Sequence, residues 1–243
     1  KRSMIRRLTT TVLALCALAA APAAYAQEAG GASAPAPTGG VAAQSDGTHS
    51  IAARADTLLG KVARFRGTVP AAHAGRLVAI ERWDLKRGAW VVTARARVSK
   101  DGTYLARWRT NTIGRFRVRA VLVPTGSAQA SAATPEIAVT VYKPAIATWY
   151  GPGFYGNTTA CGLEMTKTLI GVAHRTLPCG TQVAITYGGR SMVVPVVDRG
   201  PFANGADWDL TYATAMSVGF TSTDRIGAVR LRDQQPSQAA SSK

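Results

Sequence analysis

From about residue 52 onward, the chain consists of short segments in which polar and apolar residues alternate, separated by turn residues. In the run GRFRVRAVLV, arginines occupy positions 115, 117 and 119, and apolar residues occupy the positions between them. An alternation of period two places successive side chains on opposite faces of a β-strand. Only residues 210–218 have the composition of a helix, with Asp209 as its predicted N-cap and Gly219 as its stop. The pattern therefore predicts an all-β chain with one short helix.

The first half of this pattern predicts an immunoglobulin-like β-sandwich over residues 50–143. Turn residues at 100–102 and 111–114 supply hairpin-type connections, and this part of the chain contains no Cys. The predicted strands are residues 61–66, 76–82, 89–98, 103–109, 115–123 and 136–142.

The second half predicts a compact β-barrel over residues 145–232. The dipeptide Lys143-Pro144 marks the predicted boundary, and strands are expected at residues 145–150, 168–173, 182–187, 191–197 and 228–232. Two flanking segments lack periodicity. Residues 27–49 predict a disordered linker, and residues 233–243 predict a disordered tail.

The N-terminus predicts export. A basic stretch, an apolar stretch and the small-residue site Ala24-Tyr25-Ala26 form a signal peptide over residues 1–26, so a secreted or cell-wall location without a membrane anchor after cleavage is expected. Cys16 lies inside the apolar stretch and is expected to be discarded rather than lipidated. Cys161 and Cys179 then remain as an even pair in an oxidising compartment, which predicts a disulfide.

The positive charge is concentrated in the first half. Residues 50–143 hold 17 Lys and Arg against 5 Asp and Glu, whereas residues 145–232 hold 7 against 5. If the arginine-bearing strands are neighbours, their outer face forms a cationic stripe that suits anionic cell-wall polymers. A merely solvated face is the alternative. Export argues against nucleic acid as a partner.

The run VVPVVDRGPF raises the question of a functional carboxylate. An apolar, β-branched run ending before Gly200-Pro201 predicts a buried strand whose last residue is Asp198. Partial burial raises the pKa of a carboxyl group, as a general acid requires. Asp is also an ordinary turn residue, so a structural role for Asp198 remains an alternative.

Two further groups of residues stand near predicted turns. Trp149, Tyr150 and Tyr155 lie among glycines, where aromatic faces can stack on sugar rings or close the end of a barrel. His174 follows a predicted strand in the same manner as Asp198. Two polar residues leaving strand ends of one barrel begin to outline a cleft.

Four segments in this order, ATWYGPGFYGNTTACG, GVAHRTLPCGTQVAITYGGR, VVPVVDRGPF and DWDLT, resemble the rare lipoprotein A-like domain. The resemblance covers about residues 146–231 and implies a six-stranded double-psi β-barrel, similar to the barwin and expansin barrels. It also supports the Cys161–Cys179 disulfide. One feature departs from the family pattern, because Leu163 stands where many members carry an assisting Glu, and Glu164 follows one position later.

The resemblance implies a peptidoglycan lytic transglycosylase that acts on glycan strands. Such an enzyme cleaves the bond between N-acetylmuramic acid and N-acetylglucosamine and leaves a 1,6-anhydro sugar. Two Cys without a flanking His pair make a weak zinc site, so no metal is expected. No cofactor is expected either, and the chain is expected to be a monomer. Asp198 matches the acid, His174 and Glu164 are candidates for assisting it, and Asp209 is expected to be structural. Trp149, Tyr150, Tyr155 and Arg199 are expected to bind substrate. The alternative is a non-catalytic, expansin-like protein that binds or loosens wall polysaccharide.

Overall fold

The computed structural model describes residues 39–125, 132–202 and 205–231. The predicted signal peptide, Cys16, most of the predicted linker and nearly all of the predicted tail lie outside the described residues. Within the described ranges, no helix is long and apolar enough to cross a membrane.

The N-terminal half contains two sheets that enclose one core. The strands are β1 (Val41–Ser45), β2 (Ser50–Arg54), β3 (Asp56–Leu58), β4 (Val62–Thr68), β5 (Leu77–Asp84), β6 (Ala89–Arg97), β7 (Thr103–Arg109) and β8 (Gly114–Leu122), with a 3-10 turn at Ala71–His73. Strands β1, β2, β4 and β7 form one sheet, and β8, β5 and β6 belong to the other. Phe65 and Trp108 from the first sheet pack against Ile80 and Val118 from the second.

This two-layer packing agrees with the predicted sandwich, while its immunoglobulin-like classification stays a prediction. Strand β1 contradicts the predicted disorder of residues 41–45, because its backbone pairs along its whole length with β2. The condition for one stripe shared by all the arginine-bearing strands is not met, because these strands are not all neighbours. Strand β7 belongs to one sheet, whereas β6 and β8 belong to the other, so their arginines are divided between two outer faces.

The C-terminal half is a closed barrel of six strands with one helix. Its elements are β9 (Ile137–Tyr150), β10 (Val172–Ala173), β11 (Gln182–Tyr187), β12 (Arg190–Asp198), β13 (Trp208–Thr211), α1 (Tyr212–Val218) and β14 (Asp224–Arg230). The strand order is β13-β10-β12-β11-β14-β9, and a further pairing of β9 with β13 closes the ring. The β10–β12 and β9–β13 pairs are parallel, and the other pairs are antiparallel.

Helix α1 is shorter than predicted. The expected helix over residues 210–218 begins only at Tyr212, because Trp208–Thr211 forms strand β13. Thr211 rather than Asp209 is the N-cap, and its side chain accepts a hydrogen bond from the Thr214 amide. Gly219 ends the helix in the left-handed conformation, as the sequence predicts.

Strand β9 joins the two halves without a linker. Its first part pairs with β8 and β3 of the sandwich, and its second part pairs with β14 and β13 of the barrel. Pro144, which was predicted to break the chain, lies opposite Gly227 where β9 changes partners. The predicted boundary at residues 143–144 therefore falls inside a continuous strand.

A hydrogen-bonded contact also connects the halves beside this strand. The Asp56 carboxylate on β3 accepts hydrogen bonds from the Tyr142 hydroxyl at 2.6 Å and from the Ser191 hydroxyl on β12 at 2.8 Å. Leu58 packs against a small apolar cluster that contains Ala184 and Val229 of the barrel. The sandwich is thus fixed to the barrel by side chains as well as by the shared strand.

Candidate active site

Asp198 and Asp209 lie in one row across the barrel. Asp198 is the last residue of β12, as the sequence predicts, and Ala173 on β10 pairs with Asp198 on one side and with Asp209 on the other. Asp209 pairs in turn with Thr148 on β9. Two strand spacings, about 10 Å, therefore separate the backbones of the two aspartates, and the small Ala173 lies between them.

The Asp198 carboxylate accepts three hydrogen bonds. The backbone amides of Ala160 and Arg199 both donate to Oδ1 at 2.8 Å, and the Tyr150 hydroxyl donates to Oδ2 at 3.2 Å. Two N–H donors occupy Oδ1, so only Oδ2 is left to contact a substrate. Asp198 is consequently fixed in orientation by both the preceding loop and its own turn.

Asp209 has a different environment. It is half-buried and receives one hydrogen bond, from the Thr148 hydroxyl at 2.7 Å. Burial, with a further contribution from the nearby Asp198 charge, raises the pKa of Asp209 to about 6 against the opposing effect of Thr148. A carboxyl group with this pKa can both give and take a proton near neutral pH.

These two aspartates line a cleft of about 600 Å³ at one end of the barrel. A cleft of this volume is in the range of small-molecule and sugar-binding sites. The residues lining it are Thr148, Trp149, Tyr150, Phe154, Ala173, Asp198, Arg199, Gly200, Pro201, Phe202, Asp209, Ser222 and Thr223.

Aromatic side chains form much of the cleft wall. The Tyr150 ring meets Phe154 edge to face, and Trp149 donates its indole N–H to the Thr221 carbonyl at 3.0 Å. Burial, and then the adjacent Asp198 charge, raise the pKa of Tyr150 far above its usual range, so its hydroxyl stays a proton-bearing donor. Phe202 is 81% exposed and Phe154 is 53% exposed. Such exposed rings at a cleft mouth offer flat apolar faces to a ligand.

His174 does not line the cleft. Its Nδ1 accepts hydrogen bonds from the Thr176 and Leu177 amides, both at 3.1 Å, and its ring packs on Trp208. Burial, followed by the charges of Arg175 and Arg199, lowers the pKa of His174. These contacts indicate that His174 stabilises the turn after β10.

Arg199 lines the cleft, but its guanidinium is directed toward the backbone. It donates to the Asp198 carbonyl at 3.1 Å, to the His174 carbonyl at 3.4 Å and to the Cys179 sulfur at 3.1 Å. The contribution of Arg199 to Asp198 comes from its amide rather than from its side-chain charge.

Two other predicted residues lie outside the cleft lining. Tyr155 packs beside Gly151, where an added Cβ would come within 2.6 Å of the Tyr155 hydroxyl. Glu164 is exposed, and Leu163 beside it is 44% exposed. Glu164, which follows one position after the expected assisting acid, therefore does not take the place of that acid beside the two aspartates.

The loop that carries Ala160 is cross-linked to the turn after His174. Cys161 and Cys179 form the predicted disulfide, with a sequence separation of 18. The bridge holds the Ala160 amide near Asp198 and supports Arg199 through the Cys179 sulfur. In the part of the chain that the structure describes, no group of three or more His, Cys, Asp or Glu side chains could hold a metal ion.

Sequence reasoning missed Thr148, Phe154 and Phe202 as members of the site. A signal existed for the two phenylalanines, because each follows a glycine-containing turn, where an apolar ring has little chance of burial. Thr148 carried no such signal. Its role depends on the parallel pairing of β9 with β13, which joins Thr148 to Asp209, 61 positions away in sequence.

Known proteins resemble this half of the chain. The lytic transglycolase family matches residues 143–232. A probable endolytic peptidoglycan transglycosylase RlpA of Synechocystis is 41% identical over 115 residues, which cover 46% of this chain and 36% of the relative. The endolytic peptidoglycan transglycosylase RlpA of Vibrio cholerae is 43% identical over 75 residues, which cover 30% of this chain and 28% of the relative.

A solved structure, the Streptomyces papain inhibitor, is 26% identical and covers 35% of this chain and 92% of its own, with a TM-score of 0.28 that is too low to bear on the fold. The matched segments thus span only about a third of the length of the curated relatives. The closed six-stranded ring with one helix agrees with the family match. Residues 143–232 are therefore a double-psi β-barrel domain of the rare lipoprotein A-like family.

Proposed function

We propose that the chain is an exported peptidoglycan lytic transglycosylase whose reaction takes place between Asp198 and Asp209. The observation that carries this proposal is a pair of unequal carboxyl groups in one cleft. Asp198 is held by three donors, whereas Asp209 has a pKa of about 6 and a single hydroxyl partner. The relatives named as peptidoglycan transglycosylases support the same reaction class.

We assign the proton transfers to Asp209. Protonated Asp209 gives its proton to the glycosidic oxygen while the bond from that oxygen to C1 of N-acetylmuramic acid breaks. The resulting carboxylate then takes the proton of the C6 hydroxyl as O6 bonds to C1. The product is a 1,6-anhydro sugar, water is not consumed, and Asp209 recovers its starting state.

In this assignment Asp198 transfers no proton. It stabilises positive charge that develops at C1 and helps to raise the pKa of Asp209. These roles are the reverse of those predicted from the sequence, in which Asp198 was the acid and Asp209 was structural. The rings of Trp149, Tyr150, Phe154 and Phe202 supply stacking surfaces for the sugars on either side of the bond.

An expansin-like binding protein is the second candidate. The observation in its favour is that Leu163 occupies the position of the expected assisting acid and that Glu164 does not line the cleft. A protein of this kind would use the same aromatic wall and would hold sugar hydroxyls with both aspartates.

The test compares wild type, Asp198→Asn and Asp209→Asn on purified sacculi and on peptide-stripped glycan, with anhydromuramyl products detected by mass spectrometry. If Asp209 is the acid, Asp209→Asn lowers turnover by about 10³-fold. Asp198→Asn lowers it by about 10²-fold and shifts the alkaline limb of kcat/KM from about pH 6 to lower pH, because the neighbouring charge is lost.

The competing assignment of Asp198 as the acid predicts the opposite pattern. Asp198→Asn would then cause the larger loss of turnover, and only Asp209→Asn would retain activity with a measurable alkaline limb of kcat/KM. Asp224→Asn is the matched control, because that carboxylate bonds to Tyr187 and Arg225 outside the cleft. Binding of glycan by all variants, without products from wild type, would establish the expansin-like alternative.

A further inference from the structure

One sheet of the sandwich carries arginines that have no acidic partner among the described residues. Strands β1, β2, β4 and β7 contain no Asp or Glu. Their buried residues face the core, while the outer face presents five exposed arginines, which we call the arginine track. The track consists of Arg54, Arg64, Arg66, Arg107 and Arg109.

The strand register arranges this track in successive levels. Val62 pairs with Arg109, Arg64 pairs with Arg107, and Arg66 lies between Ala52 and Leu105. The antiparallel register set by Ala52 and Arg66 places Arg54 level with Arg64. Like charges that stand directly opposite each other destabilise a sheet, so Arg64 beside Arg107 is a cost that folding alone does not explain.

None of these five side chains forms a hydrogen bond or an ion pair with another described residue. Beyond Arg66 the track opens into a groove of about 680 Å³, and Arg97 on β6 is also among the residues that line this groove. Ser50, Thr68, Ser99 and Thr103 also line the groove. The hydroxyls of Ser99 and Thr103 donate to the Asp101 carboxylate, and those of Ser50 and Thr68 bond to each other, so the arginines are the main donors left for a ligand. From the level of Arg109 to that of Thr68 the face extends over about 20 Å, at about 6.7 Å for each pair of residues.

We propose that the arginine track and its groove bind a linear phosphodiester polymer, such as a polyol phosphate chain. Guanidinium groups contact phosphate oxygens through two parallel N–H bonds. A phosphodiester polymer carries a permanent charge on every repeat, which matches closely spaced arginines along an elongated face. The carboxylates of stem peptides branch from glycan only once per muramic acid unit and match such spacing poorly.

This inference rests on the proposed function only in one respect, namely that an exported protein acting on peptidoglycan would encounter such a polymer. It does not depend on catalysis. The test measures binding of a glycerol-phosphate oligomer to the full chain lacking the predicted signal peptide, at several salt concentrations. With five phosphate contacts, the plot of log K against log salt should have a slope of about −3.5, since each contact contributes about −0.7.

The variant Arg64→Gln/Arg107→Gln should reduce this slope in magnitude by about 1.4 and weaken binding at low salt by about 10-fold or more. The matched control is Arg87→Gln/Arg95→Gln, which makes the same charge change on exposed side chains outside the track. It should leave the slope within error of wild type. Equal losses in the two variants, or no loss in the first, would overturn the proposal.

Two further arms identify the ligand. Polyglutamate of equal charge tests for carboxylates, and vesicles of anionic phospholipid test for a membrane surface. Binding to either that equals or exceeds binding to the phosphate oligomer would overturn the assignment to a phosphodiester polymer. Repeating the assay with Asp209→Asn should give unchanged affinity, so a failure of the catalytic proposal cannot be mistaken for a failure of this one.

Discussion

Two aspartates occupy the cleft of the barrel, whereas five arginines cover one outer face of the sandwich. The aspartates are partly buried, and each oxygen contact is defined by a backbone amide or a hydroxyl at a fixed distance. The arginines are exposed and have no partner among the described residues. A few oriented charges can act on a single bond, whereas many unoriented charges act by their number and are weakened by salt.

A second comparison lies within the sandwich itself. On the other sheet, Arg117 donates to Glu136 at 2.8 Å and Arg119 donates to Glu81 at 3.0 Å. The Arg119 guanidinium also lies 4.1 Å from the ring centre of Trp90. Both faces follow the same alternation in sequence, so alternation alone does not determine whether arginines remain available to a ligand. The distribution of Glu and Trp on the neighbouring strands determines it.

The largest difference between the domains should follow from removing the disulfide. We expect Cys161→Ser/Cys179→Ser to lose about 3 kcal/mol of stability and most of the activity, because the loop bearing the Ala160 amide is released from Asp198. Denaturant unfolding and product yield measure these effects. Binding of the glycerol-phosphate oligomer below the unfolding midpoint should be unchanged. A matching loss of polymer binding would show that the two regions are not separable.

The next effect concerns stability at the cleft. Because the pKa of Asp209 is raised in the folded chain, the neutral form is favoured, and this contribution is complete below about pH 4 and lost as the pH rises through 6. Asp209→Asn should therefore raise stability at pH 7 by about 1–2 kcal/mol, after allowance for solvent screening, and should have no effect at pH 3.5.

Thermal unfolding at the two pH values measures this gain, with Asp224→Asn as a control that should bring none. A loss of stability at pH 7 for Asp209→Asn would mean that the sequence-based prediction of a structural Asp209 is the better one.

A smaller effect should appear on the outer face of the other sheet, where Arg117 and Arg119 form ion pairs with Glu. Glu81→Gln/Glu136→Gln removes the acidic partners of Arg119 and Arg117 and should give this face a binding capacity of its own. We expect affinity for the phosphate oligomer to rise a few-fold and the salt slope to steepen by up to about 1.4, for two additional contacts. An unchanged slope would mean that pairing with Glu is not what separates the two faces.

The smallest effect should come from Arg117→Gln. Its ion pair with Glu136 is exposed, and exposed pairs contribute between zero and about 1 kcal/mol. Urea unfolding should thus show a change below about 1 kcal/mol, and polymer binding should not change. A stability loss above about 2 kcal/mol would assign a structural role to the stacking of Arg117 on Trp83 and Trp90.

Much of the strand pattern could be predicted from local sequence. Strands β7 and β11 begin and end at the predicted residues, because turn residues bound both of them. The errors have physical reasons. Pro144 indicates a break by its missing N–H, yet it lies where β9 changes partners and loses little by lacking a donor. Strand β1 is short and consists of small or polar residues after Val41, so it cannot be distinguished from a linker without its partner β2.

The candidate site was predictable only in part. The position of Asp198 follows from a local rule, since an apolar strand ends before Gly200-Pro201. The special environment of Asp209 depends on Thr148 and Asp198, which the barrel closure brings together from two other strands. The direction of the His174 ring likewise depends on amides that only the folded turn presents. Roles that arise from tertiary pairing are not encoded in any short segment.

The continuous strand β9 also has a mechanical consequence. A pull on the sandwich reaches the barrel along a covalent backbone that is hydrogen-bonded to neighbours in both domains, and the bonds of Tyr142 and Ser191 to Asp56 oppose rotation about it. Under the proposed polymer binding, a polymer held by the track under tension would keep the cleft at a fixed orientation relative to the direction of load. Under the proposed activity, glycan would then be cut preferentially in one orientation and close to the bound polymer.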